Sequence, residues 1–171
     1  ATGTFLCILA AGCGEQHSVP KNSGVADTEI LQSEYHSLRL TRIVAGLEHP
    51  WSVAFLPDGS YLVTERPGRL NLLRPDGTAA RVTGVPEVLA RNQGGLMEVS
   101  LHPDFGENGW IYLTYSRGNW RNSKTWLALA RGRLDGDRLA DVEELFRQDL
   151  PHSPGVHYGG RIAWLPDRTF L

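Results

Sequence analysis

Residues 52–59 read Ser-Val-Ala-Phe-Leu-Pro-Asp-Gly, and this stretch has two counterparts further along the chain. Residues 98–105 read Glu-Val-Ser-Leu-His-Pro-Asp-Phe, and residues 161–168 read Arg-Ile-Ala-Trp-Leu-Pro-Asp-Arg. In each copy a short alternating run leads to Pro-Asp, where Pro presets φ for a β-turn and Asp hydrogen-bonds the backbone of the turn. Because a β-rich run follows each turn, every copy predicts a β-hairpin.

The spacing of these hairpins predicts the architecture. Further strands are expected at 69–73 and 127–134, with fourth strands at 80–82 and 144–147, although 141–146 could instead form one helical turn. The Pro-Asp prolines are 46 and then 63 residues apart. Repeats of about 40 to 50 residues with four strands each are typical of β-propeller blades. The strands alone also allow a β-sandwich, and the repeat favours the propeller.

The chain is too short to form a complete all-β propeller. A propeller needs about four to eight blades. Residues 38–171 supply about two blades and the first hairpin of a third. We therefore expect the N-terminal, incomplete part of a longer propeller.

The N-terminus has the pattern of an export signal. Residues 5–11 are apolar and precede Gly-Cys-Gly at 12–14, which is the form of a signal-peptide core with small residues at its end. The ending resembles a bacterial lipobox, in which Cys13 would carry lipid. We expect residues 1–13 to be a signal-peptide remnant, 14–37 to be a polar tether, and the protein to lie in the periplasm or at the cell surface of a bacterium. The alternative is a frayed apolar terminus or a short buried strand.

Composition excludes several classes of partner. The net charge is −2, so no overall basic surface for nucleic acid is expected. No stretch approaches the roughly 20 apolar residues of a membrane span, which leaves a lipid anchor as the expected membrane contact. The sequence also lacks a His, Cys and carboxylate cluster with metal-ligand spacing.

Two loops carry the candidate chemistry. Loops 91–98 and 152–161 each place a polar residue shortly before Gly-Gly and then enter the innermost strand of a blade, beside the central channel. Gly-Gly allows close approach to a ligand or a positive φ. Gln93 and His157 are therefore expected to point into the channel, with His157 as a candidate general base because imidazole is basic near neutral pH. The alternative for a single His is a structural role, which we expect for His102.

These loops resemble those of the pyrroloquinoline-quinone-dependent aldose sugar dehydrogenases, the glucose/sorbosone dehydrogenase family. The resemblance runs from about Leu47 to Leu171. Its most specific part is the ordered pair of Gln93-Gly94-Gly95 and His157-Tyr158-Gly159-Gly160-Arg161, each before a blade. Supporting matches lie at 49–59, 63–68, 101–105 and 112–116.

The resemblance implies a six-bladed propeller with the quinone in its channel. By this resemblance His157 takes the proton of the sugar's anomeric hydroxyl while hydride passes to the quinone, which gives a lactone, and Gln93 contacts the quinone or the substrate. An electron acceptor downstream of the quinone is implied. Calcium is implied too, with its ligands beyond residue 171 and none within this chain. Some members have Asp immediately before the catalytic His, where this sequence has Val156.

Two other functions remain open at this point. A sugar lactonase on a similar propeller would need a carboxylate-bound metal, whereas the two loops offer Gln93 and His157. A non-catalytic binding propeller at the cell surface would keep the Pro-Asp turns but would not need His157. We expect an enzyme, and we expect this part of it to be inactive alone.

Overall fold

The computed structural model describes residues 28–118, 121, 124–151 and 155–171. The predicted signal-peptide remnant, including Cys13, lies outside the described residues. The described part forms ten strands and one short helix. They are β1 (Thr28–Gln32), β2 (Ser37–Thr41), β3 (Pro50–Phe55), β4 (Tyr61–Glu65), β5 (Arg69–Leu73), β6 (Ala79–Arg81), β7 (Leu96–Leu101), α1 (Phe105–Asn108), β8 (Trp110–Gly118), β9 (Thr125–Asp135) and β10 (Arg138–Arg147).

Eight of these strands form two four-stranded antiparallel sheets. The first has the order β3-β4-β5-β6, and the second runs β7-β8-β9-β10, so each sheet is a meander of consecutive strands. Asp58 Oδ1 accepts the Ser60 N–H at 2.9 Å in the turn between β3 and β4, as the Pro-Asp pattern predicts. We call the two sheets blade 1 and blade 2.

The core lies between the two blades, where β7 packs against β3 and β4. Burying a side chain of leucine size stabilises the fold by about 1.5–3 kcal/mol. Thr64 Oγ1 also donates to the Met97 carbonyl at 2.6 Å, which joins β4 to the innermost strand of blade 2. Fully buried members of the core include Leu62, Leu70, Leu96, Ile111 and Leu113.

The third predicted hairpin is present as a turn with paired backbone. Ala163 and Leu171 exchange two hydrogen bonds of 3.0 Å, and Trp164 bridges Phe170. Trp164 Nε1 donates to Ser100 Oγ of blade 2 at 2.9 Å. The start of a third blade is therefore already docked on the second.

In the second repeat one expectation is wrong, and the expected fourth strand is present in place of its helical alternative. After Asp104 the chain forms the short helix α1, where the sequence pattern predicts a plain hairpin turn. The stretch Asp141–Phe146 is strand, so the alternative of a helical turn is wrong. Its pairing with β9 shifts register twice, between Ala140 and Glu143 and again between Glu144 and Phe146. These irregularities disturb the period-2 alternation by which a strand is recognised.

Strands β1 and β2 form a separate two-stranded antiparallel sheet. All ten of their residues are exposed. Strand β1 thus falls in the second half of the segment expected to be a polar tether, and β2 begins at the end of that segment. Among the described residues, no helix has the length and apolar character needed to cross a membrane.

Candidate functional site

The structure brings Gln93 and His157 together, although they are 64 residues apart in sequence. The side-chain oxygen of Gln93 accepts the backbone N–H of His157 at 2.8 Å. The backbone N–H of Gln93 donates to the Gly155 carbonyl at 3.2 Å. The loop that enters blade 2 and the loop that enters the third hairpin are therefore joined side by side.

His157 has a left-handed backbone conformation, with φ of 60°. Such a conformation is uncommon for residues other than glycine, so it needs support from its surroundings. The hydrogen bond to Gln93 supplies part of that support. Both side chains are exposed, which leaves the imidazole accessible to a ligand in front of the two loops.

The four loop glycines do not all have the expected role. A Cβ on Gly94 would lie 2.6 Å from Ser116 Oγ, and one on Gly95 would overlap the Arg66 carbonyl. Gly94 is therefore needed for packing against β8 and the Tyr158 ring, and Gly95 for packing against Arg66 of blade 1. Gly160 is also closely packed, since its Cβ would lie 3.2 Å from Thr114 Oγ1.

Gly159 is different because a Cβ there would meet nothing within 4 Å. Its φ of 72° is left-handed, like that of the neighbouring His157. Within this loop, the open space in front of Gly159 is the place where the backbone can approach a ligand.

Tyr158 is a site residue that the sequence pattern does not single out. Its hydroxyl donates to Thr125 Oγ1 at 2.5 Å, at the first residue of β9. Thr125 is fully buried. The Tyr158 ring also packs on Gly94, with Cε2 3.1 Å from the position of a Cβ there. An aromatic residue next to a candidate base is a weak sequence signal, and its partner Thr125 is 33 residues away.

Arg161 joins three parts of the structure. Its guanidinium lies 2.7 Å from Glu98 Oε2 of β7. It also stacks on the Trp51 ring of β3, with Cζ 4.6 Å from the ring centroid. The arginine that closes the His-Tyr-Gly-Gly-Arg motif thus connects the third hairpin to blades 1 and 2.

Glu65 is a buried carboxylate at the end of β4, next to the residue that contacts the Gln93 loop. It is 1% exposed and lies 2.9 Å from Arg69 Nε. Burial raises the pKa of the Glu65 carboxyl, but hydrogen bonds from Arg69, the Glu48 backbone N–H and the Asn71 amide together hold that pKa below its ordinary value. The next residue, Arg66, donates to the Asn92 carbonyl, so this network is continuous with the Gln93 loop.

No group of three or more His, Cys, Asp or Glu side chains within the described ranges could hold a metal ion. His102, in contrast to His157, has a structural setting. Its Nδ1 accepts the Asp104 N–H at 3.0 Å, and its ring contacts Tyr112 and Trp164.

Comparison with known proteins identifies relatives for most of the chain. A family model described as Glucose / Sorbosone dehydrogenase matches residues 47–171. Aldose sugar dehydrogenase YliI of Escherichia coli (strain K12) is 41% identical over 122 residues, which are 69% of this chain and 33% of that protein. Quinoprotein glucose dehydrogenase B of Acinetobacter calcoaceticus is 30% identical over 112 residues, or 60% of this chain and 23% of that protein.

The fold has solved counterparts. The crystal structure of the soluble aldose sugar dehydrogenase from Escherichia coli in its apo-form superposes with a TM-score of 0.65 at 35% identity, covering 82% of this chain and 38% of that chain. The propeller prediction is confirmed, with this chain as part of the ring. The matched region amounts to 40% or less of the length of the curated relatives.

Proposed function

The chain belongs to the glucose/sorbosone dehydrogenase family, and from this premise we propose that the complete propeller oxidises the anomeric hydroxyl of aldose sugars to the lactone with pyrroloquinoline quinone as cofactor. The observation that carries the proposal is the hydrogen bond that joins Gln93 to His157. It joins the side chain of Gln93 to the main chain of His157, so that two exposed polar residues meet where the two loops that enter successive innermost strands lie side by side.

His157 is the proposed general base. Its side chain is exposed, and its backbone is held by Gln93 rather than by burial of the ring. An imidazole placed in this way can take the proton of the anomeric hydroxyl as the C1 hydrogen leaves with its electron pair. General-base catalysis of this kind contributes about 10²–10⁴-fold to rate.

The quinone, when bound, would supply the acceptor for that hydride. The residues present fit one side of its site, because Gly159 leaves open space near His157 and the exposed Gln93 is joined to the His157 main chain. Gln93 is the proposed contact to the quinone or the sugar through its amide nitrogen, since its oxygen already accepts the His157 N–H. The name of the Acinetobacter relative, a quinoprotein, supports the choice of cofactor.

The remaining elements of the proposal concern the whole protein. Calcium is proposed as a second cofactor, with ligands from parts of the propeller other than the described residues. An electron acceptor downstream of the quinone is also part of the proposal. The protein is proposed to reside in the periplasm or at the cell surface, held there by lipid on Cys13.

The test is dye-linked aldose oxidation by the complete protein, freed of cofactor and then titrated with quinone in the presence of calcium. We expect activity only with quinone, a lactone product, and a loss of about 10²–10⁴-fold in kcat for His157→Ala. His36→Ala is the matched control, because His36 is also exposed but lies in the turn between β1 and β2. Activity without quinone, hydrolysis of a lactone, or full activity of His157→Ala would refute the proposal.

A further inference from the structure

We infer that Tyr158 is a positioning residue, which fixes the backbone of His157 by anchoring the loop to the start of β9. The inference rests on the proposed function of His157 as the base. Its observation is the 2.5 Å hydrogen bond between the Tyr158 hydroxyl and Thr125 Oγ1.

The anchor is rigid at its far end. Thr125 is fully buried and begins β9, which pairs with β8 along its length up to the match of Thr125 with Gly118. With 0% of Thr125 exposed, its hydroxyl is screened from solvent in this structure. The Tyr158 hydroxyl therefore bonds to a buried group at the start of a paired strand.

The anchor also acts close to the base. Tyr158 follows His157 directly, and its ring packs against Gly94, the residue after Gln93. Tyr158 and Gly94, which follow His157 and Gln93 in sequence, thus restrain each other beside the hydrogen bond that joins the two loops. Gln93 fixes the N–H of His157 on one side, and Tyr158 fixes the next peptide unit on the other.

The restraint matters because the backbone conformation of His157 is unfavourable for a residue other than glycine. His157, Gly159 and Gly160 all have φ between 60° and 86°. Only the two glycines adopt this region without steric cost. Without the anchor, His157 would relax towards ordinary φ values and its ring would move, and a displacement of about 1 Å at a reacting group can cost up to about 10²-fold in rate.

The test compares wild-type complete protein with Tyr158→Phe, Thr125→Val and the double variant. Tyr158→Phe keeps the ring and removes only the hydroxyl. We expect kcat to fall about 10-fold with KM within about twofold of wild type, since the base is misplaced while sugar contacts remain. Thr125→Val should reproduce this loss, and the double variant should lose no more than either single variant.

A second readout does not depend on turnover. Hydrogen exchange of the peptide that covers 155–161 should become faster in Tyr158→Phe and in Thr125→Val. The matched control is Tyr115→Phe, because the Tyr115 hydroxyl also donates within blade 2, but to Glu144 Oε2 of β10, at 2.8 Å. We expect wild-type kcat and wild-type exchange at 155–161 in that control.

Two outcomes would overturn the inference. One is an unchanged kcat in Tyr158→Phe, whether or not its melting temperature falls, since that is the signature of a purely structural hydroxyl. The other is unchanged exchange at 155–161 in both single variants. Failure of the proposed function is distinguishable, because wild-type protein would then lack quinone-dependent oxidation while the exchange measurement still reports on the anchor.

Discussion

Gln93 and His157 are joined by a hydrogen bond from the backbone nitrogen of His157 to the side-chain oxygen of Gln93, 2.8 Å long. The contact links a side chain of one blade-entry loop to the main chain of the next. Gln93 therefore holds the backbone of His157, the proposed base, through its side-chain oxygen, and its amide nitrogen is the atom proposed to contact a ligand.

The two parts of Gln93 can be separated by substitution. Gln93→Glu keeps an oxygen that accepts the His157 N–H but loses the amide donor, whereas Gln93→Ala loses both. We expect faster hydrogen exchange at 155–161 in Gln93→Ala alone, since a net hydrogen bond of about 1 kcal/mol is lost there. Loss of activity in Gln93→Glu with unchanged exchange would assign ligand contact to the amide nitrogen. Equal, wild-type exchange in both variants would show that the bond does not hold the loop.

Gly95 should tolerate no side chain. A Cβ there would overlap the Arg66 carbonyl, which accepts the Leu96 N–H at 3.0 Å and so cannot move without breaking the contact between blades. We expect Gly95→Ala to lower the free energy of unfolding by about 1–3 kcal/mol in urea denaturation. Gly106→Ala is the control, because a Cβ at Gly106 meets nothing within 4 Å. Equal stability of the two variants would contradict the packing described for Gly95.

Glu65 should make stability depend on pH in the acid range. Its pKa is lower in the folded state than in the unfolded chain, so the unfolded state binds more protons in the interval between the two values. The contribution is fully present above the unfolded value of about 4.3 and is lost as pH falls through the folded pKa. Wild type should therefore lose stability over this interval more steeply than Glu65→Gln. The exposed Glu34→Gln should follow wild type, and parallel curves for all three proteins would refute the assignment.

Arg161 should contribute to the docking of the third hairpin. Its ion pair with Glu98 is largely exposed on the arginine side, so we expect Arg161→Ala to cost only about 1 kcal/mol from the lost pair and the lost stacking on Trp51. Arg161→Lys keeps the charge without the planar stacking and should recover part of the loss. The measurement is the melting temperature of the complete protein as wild type, Arg161→Ala and Arg161→Lys. A lysine variant as stable as wild type would mean that the stacking on Trp51 contributes nothing.

The hairpins could be predicted because their information is local. Pro57-Asp58 and Pro166-Asp167 each set a turn in which the Asp oxygen accepts the N–H two residues later, and the structure shows that bond at 2.9 and 3.0 Å. In the second repeat the turn is replaced by α1, whose Asn108 contacts His102. Nothing in the Pro-Asp dipeptide itself distinguishes the two outcomes.

The site could be predicted only in part, because its geometry is long-range. The repeated Gly-Gly motif identifies both loops, but the pairing of Gln93 with the His157 backbone depends on how two blades pack. The sequence pattern does not single out Tyr158 for the same reason, since the partner of its hydroxyl is Thr125, 33 residues away. The Gly-Gly pair of the first loop predicts close approach to a ligand or a positive φ. Gly95 has a φ of 152°, and both glycines pack against protein, Gly94 on Ser116 and Tyr158 and Gly95 on Arg66.

The crossing from blade 2 to the third hairpin has one more consequence. Because the segment that links blade 2 to the third hairpin also carries His157, the proposed base, docking of that hairpin and formation of the contact between Gln93 and His157 are coupled. Gln93 leaves the ribosome with the second blade and has no histidine to hold until the third repeat begins to emerge. A change in the length of either link would therefore alter both the docking of the third hairpin and the position of the proposed base.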